Sequence, residues 1–190
     1  MALTIQLSGS SIPFLGKLKN GLPRSRMNLL AAQSMRVAIQ RHLYGLEKTR
    51  PNKMGFPRAH WWEMAGNRTT ATANESYGEV SVALEGFRYQ YEGGTIRPIN
   101  VKALTIPIHP DAYGQRARKF KLHFVPAGAS ANDRTVGYLV RNDGKSVDDW
   151  YYVLKSSVSK GPDHSVIPPE DALRKAATDG VKAQLEALGL

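Results

Sequence analysis

The sequence contains no cysteine. That absence excludes disulfides, thiolate metal sites, cysteine nucleophiles and iron–sulfur clusters. It also lacks any uncharged apolar run approaching the ~18 residues that a membrane-spanning helix requires. Its opening, Met1-Ala-Leu-Thr-Ile-Gln-Leu-Ser-Gly9, has neither the basic start nor the long apolar stretch of a signal peptide. The expectation is a cytosolic product with no membrane span. Acid is scarce in the first third. Residues 1–60 hold one acidic side chain, Glu47, against ten basic ones: Lys17, Lys19, Arg24, Arg26, Arg36, Arg41, Lys48, Arg50, Lys53 and Arg58. That stretch carries +9 of the total +10, and the other 130 residues carry +1. Charge this one-sided points to nucleic acid, an acidic protein or an anionic surface as neighbour, or else to a solvated basic face.

What is present is an ordinary globular composition. The chain has 190 residues, 42% apolar and 22% charged, enough for one domain over 1–190 with a buried core. Leu3–Leu7 alternates apolar and polar residues and reads as a strand. Residues 8–24 read as an arm or loop. From Ser25 to about Leu46 a helix is expected, because Leu29, Ala32, Met35, Ile39, Leu43 and Leu46 recur at helical spacing. Pro51 and Pro57 rule out its continuation, so residues 47–60 read as an extended loop. Trp61–Ala65 reads as a helical turn and Asn67–Tyr77 as a loop.

From Gly78 the period changes to two. Glu79–Leu84, Phe87–Tyr91, Ala103–Ile108, Leu122–Val125, Thr135–Val140 and Trp150–Leu154 read as strands, with one helical turn within 110–119. Pro168-Pro169-Glu-Asp opens a last helix with the apolar stripe Leu173, Ala177, Val181, Leu185 and Leu188. A strand, a long helix, a run of strands and a final helix make an α+β fold: an antiparallel sheet core packed by a long N-terminal helix, with a C-terminal helix.

No catalytic set stands out, and the chain does not read as an enzyme. Asn142-Asp-Gly-Lys-Ser146 contains the last residues of a phosphate-binding loop, but that motif needs glycine where Leu139 stands, so it reads as a turn between strands. The five histidines lack metal-ligand spacing; His60 with Glu63 and His109 with Asp111 come nearest. No metal and no cofactor are expected. Phe87, Tyr89 and Tyr91 share one side of a strand and suit a core, with base stacking as the sharper alternative. Of Trp61 and Trp62, one indole suits the core and the other an interface anchor.

Several segments together resemble a known family. Pro51-Asn-Lys-Met-Gly-Phe-Pro-Arg-Ala-His-Trp-Trp62, then Tyr91-Glu-Gly-Gly-Thr-Ile-Arg-Pro98 leading into Lys102–Ile108, are similar to the phage virion-morphogenesis, or tail-completion, proteins. Tyr113–Phe120 and Tyr152–Val158 fit the same pattern. The resemblance implies a non-enzymatic virion protein at the head–tail junction of a tailed phage or prophage. It would assemble in the host cytoplasm as a homo-oligomeric ring, expected to be a hexamer. Its partners would be neck, adaptor and tail-tube or tail-terminator proteins, with DNA passing through the lumen. Trp61, Trp62, Gly93, Gly94 and Arg97 are the candidate interface residues, and Arg26, Arg36 and Arg41 the candidate face for DNA or an acidic partner. A stand-alone basic nucleic-acid-binding domain is the alternative.

Overall fold

The computed structural model describes residues 3–8, 23–50, 60–128 and 134–187. Most of the expected arm (residues 9–22) and of the expected loop (51–59) lies outside the described residues, as does Leu188. The fold is α+β. Its helices are α1 (Arg24–Thr49), α2 (Trp61–Asn67), α3 (Phe87–Glu92) and α4 (Glu170–Ala187). Its strands are β1 (Leu3–Ser8), β2 (Thr69–Ala73), β3 (Tyr77–Val82), β4 (Gly94–Ile96), β5 (Leu104–Pro107), β6 (His123–Pro126), β7 (Thr135–Val140), β8 (Trp150–Lys155) and β9 (Val158–Lys160). The sequence reads as one domain, whereas the residue contacts gather into two compact units. The first comprises the described parts of 1–50, 60–92 and 162–190, and the second those of 93–161.

In the first unit α1 lies on an antiparallel sheet of order β1-β3-β2. Met27, Ala31, Ala32, Met35, Ile39, Leu43 and Leu46 are buried along the helix. Leu29, expected in that stripe, is only half-buried. The helix ends at Thr49 because Arg50 precedes a proline, a position that disfavours helical backbone. Val80 and Val82 of β3 face the core at 1% exposure. On α4, Leu173, Ala177, Val181 and Leu185 are buried as the stripe predicts, and Gly180 admits the Ser34 side chain at the α1–α4 crossing.

Two expectations need correction here. Residues 87–91 form α3 and not a strand. The aromatic spacing was ambiguous, since Phe87 and Tyr91 are also i and i+4 on a helix. The Gly86 backbone has a φ of 80°, just ahead of the helix, and Arg88 pairs with Glu92 at 2.7 Å one turn on. That carboxylate also pushes the Arg88 pKa up, first through the hydrogen bond. Residues 69–73 form β2 and not a loop, because every residue from Thr69 to Ala73 finds a β3 partner. Thr70 and Thr72 face water, where Thr70 meets Ser81 at 3.0 Å, whereas Thr69 is buried and donates to the Ala65 carbonyl at 2.9 Å.

Backbone meets backbone closely between α1 and β3 as well. The side chain that Gly78 lacks would strike the Asn28 carbonyl oxygen and come within 3.1 Å of the Ala32 methyl group. Asn28 is buried, and its Nδ2 donates to the Asn74 carbonyl at 2.9 Å. The Asn74 side chain in turn accepts from the backbone N–H groups of Ser76 and Tyr77 at 2.8 and 2.9 Å. One polar residue thus ties the helix to the β2–β3 turn.

In the second unit β5-β8-β7-β6 form an antiparallel sheet, and β4 pairs with β9. Its small core gathers Ala112, Tyr151 and Tyr152 with Ala117, Phe120, Leu122 and Leu139. The expected helical turn within 110–119 is two 3-10 turns, Pro110–Ala112 and Ala117–Lys119. The Tyr152 hydroxyl donates toward the Gln115 carbonyl at 3.0 Å and the Ala112 carbonyl at 3.3 Å. Burial pushes its pKa up.

Gly78→Ala is expected to cost about 2 kcal/mol, because a backbone oxygen cannot swing aside; the check is a lower urea midpoint at unchanged slope. Tyr152→Phe is expected to cost about 1 kcal/mol by removing the donor shared by two carbonyls. The folded state holds this phenol neutral, with its pKa above the unfolded value. Its contribution is therefore complete below the unfolded pKa of about 10 and lost as pH rises past that value. Unfolding midpoints measured across this range should fall less steeply in Tyr152→Phe than in the parent.

Candidate interaction surfaces

The three α1 arginines do not share one narrow face. At about 100° per residue, Arg41 lies roughly 60° to one side of Arg26 and Arg36 roughly 80° to the other. Arg26 and Arg41 are exposed. Arg36 is half-buried, and its Nε is buried with no hydrogen-bond partner among the described residues. It therefore stands at the margin of the buried face. Arg41 also rims an open groove of about 490 Å³ between α1 and α4, lined further by Val37, Ala38, Ala172 and Lys175. Lys175 is held there by Asp179 at 2.6 Å.

Trp61 and Trp62 are both half-buried and engaged inside the first unit. Trp61 stacks on Phe87 with centroids 5.9 Å apart and meets Trp62 edge-on at 4.8 Å. The Arg50 guanidinium lies 5.5 Å from the Trp62 ring while pairing with Asp163 at 2.8 Å. The Trp62 backbone N–H donates to Glu47 at 3.2 Å, and His60 Nδ1 stands 3.2 Å from Glu63. The pair closes the C-terminal end of α1.

Gly93, Gly94 and Arg97 belong to the second unit. Gly93 and Gly94 have φ of 70° and 133°, values that glycine adopts without strain. The turn reading thus explains both glycines by itself. They lead into β4, where Thr95 meets Ser159 at 2.8 Å. From the last residue of β4 onward the chain presents Ile96 at 43%, Ile99 at 93% and Val101 at 65% exposure, interspersed with exposed Arg97 and Lys102.

The nearest approaches to chemistry serve local structure. His109 Nδ1 accepts from the Asp111 N–H at 3.1 Å, and its ring stacks on Tyr151 at 4.4 Å. Among the described residues no three histidines and acids stand close enough to hold a metal ion. Asn142–Ser146 is a turn, with φ of 53° at Asn142 and 69° at Gly144. Its lysine, Lys145, pairs with Asp143 at 2.9 Å, and that hydrogen bond pulls the aspartate pKa down.

Sequence reasoning missed a second basic region. Residues 93–161 hold eleven basic and five acidic side chains, a net +6. The excess was hidden because residues 61–92, with two basic and five acidic, and 162–190, with three and five, offset it. Only the partition into two units separates these segments by sign. In comparisons with known proteins, no family model, no curated protein and no solved structure matches this chain.

Proposed function

We propose that this chain is a structural subunit of a tailed-phage or prophage particle, completing the tail or neck and joining head to tail as one member of a ring. The observation that carries this reading is the segment from Ile96 to Lys102. It displays three large apolar side chains to water, one of them 93% exposed, one residue after a glycine pair. Such exposure is costly for a lone subunit and is relieved when a neighbour covers it. The flanking Arg97 and Lys102 supply a polar, charged rim. The segment also lies within the stretch that resembles the tail-completion proteins. Arg26 and Arg41, exposed on α1, would face an acidic neighbour or the DNA in the lumen.

The alternative, a stand-alone nucleic-acid-binding domain, draws support from the net charge of +10. Particle composition separates the two. Quantitative mass spectrometry and labelled electron microscopy of purified particles should find the chain at the neck in a low, ring-sized copy number. Its absence from particles would sink the structural reading.

Within that reading, Ile99→Asp should leave the unfolding midpoint unchanged and lower incorporation into particles by more than about tenfold. The double variant Arg26→Glu/Arg41→Glu should reduce infectious titre without unfolding the subunit. Unchanged titre would remove the α1 face from the proposal.

A further inference from the structure

The second unit presents four cations within six residues: Arg116, Arg118, Lys119 and Lys121, all exposed. The fold explains why they stand outward. Ala117, Phe120 and Leu122 are interleaved with them and pack beside Tyr151 and Tyr152. The Phe120 ring lies 5.0 Å from that of Tyr151. The backbone is pinned as well: Lys119 N–H donates to the Arg116 carbonyl at 2.9 Å, and the Tyr152 hydroxyl holds the Gln115 carbonyl at 3.0 Å. Lys119 reaches the neutral Gln115 side chain at 3.0 Å. Among the described residues no carboxylate pairs with any of the four.

A second feature lies on the same side of the sheet. Phe124 stands opposite Leu139, and Leu139 opposite Tyr152, so the three share the face that carries the core and the cationic segment. Leu139 and Tyr152 are covered, but Phe124 is 51% exposed. Its ring lies across Gly137, where an added Cβ would come within 2.7 Å of the ring Cζ. Glycine thus lets the aromatic lie close over the neighbouring strand.

Clustered cations without counter-charges attract a polyanion, and the aromatic discriminates among polyanions. A carboxylate-rich peptide or a phospholipid headgroup neutralises the cations but offers the ring no flat partner. An unpaired base offers a π-face beside each phosphate. We propose that Arg116, Arg118, Lys119, Lys121 and Phe124 form a binding surface for single-stranded nucleic acid. This surface belongs to the second unit and the α1 arginines to the first, and the proposal holds whether or not the chain belongs to a particle.

The test uses the full chain and a fluorescent oligothymidylate, followed by anisotropy between about 50 and 200 mM salt. Arg116→Gln/Arg118→Gln/Lys121→Gln leaves Ala117, Phe120 and Leu122 in place. It should lower affinity about tenfold or more and make the slope of log K against log salt shallower by about 2. Phe124→Leu should weaken binding at least about fivefold with the slope unchanged, whereas Phe124→Tyr, which keeps a ring, should bind as the parent does. Arg26→Gln/Arg41→Gln should retain most of the affinity. Unchanged binding in the triple variant, or in a folded Phe124→Leu, would overturn the proposal. Equal competition by polyglutamate or anionic vesicles would overturn it too, by showing a surface that reads charge alone.

Discussion

The first unit depends on the close approach of α1 to β3. A helix can come this near a strand only where the strand has no side chain in the way, and Gly78 supplies that position beneath Asn28 and Ala32. Once the backbones are in contact, Met35, Ile39 and Leu43 can reach the inner face of β3 and lose all but a trace of their exposure. The buried Asn28 amide then needs a partner, which the Asn74 carbonyl provides. Apolar burial drives the assembly; the glycine contact and this single hydrogen bond set its register.

The C-terminal end of α1 is organised by charge and aromatic contact. Arg50 bridges to Asp163 and covers Trp62, while Glu47 receives the Trp62 backbone N–H. Residues far apart in sequence meet there, which gives the tryptophan pair a structural role inside the unit. The apolar side chains most available to a neighbour are Ile96, Ile99 and Val101. They lie in the segment that begins just after Gly93 and Gly94.

Much of the architecture was legible because burial imposes a period. The α1 and α4 stripes and the alternation of β3 carry it, whereas β8 buries three consecutive residues, Tyr151 to Val153. Where the period failed, the reason was local. Phe87 and Tyr91 satisfy both a strand and a helix, and the preceding positive-φ glycine coincides with the helix. Thr69–Ala73 lies in a polar stretch and its alanines are too small to give a clear apolar signal; the strand exists because β3 offers it a paired edge. The three-residue strands β4 and β9 are too short to carry a period at all.

The sequence by itself determined the α+β class, the two long helices and the excess of positive charge, since each follows from composition or from spacing along one chain. Only the tertiary structure decided which charges stand together and which apolar groups remain outside. Arg36 is drawn to the edge of a buried face, while Arg116 to Lys121 are turned outward by the inward anchoring of Ala117, Phe120 and Leu122. Exposure depends on what packs from elsewhere in the chain. A residue's own neighbours in sequence do not specify that contact, and the fold does.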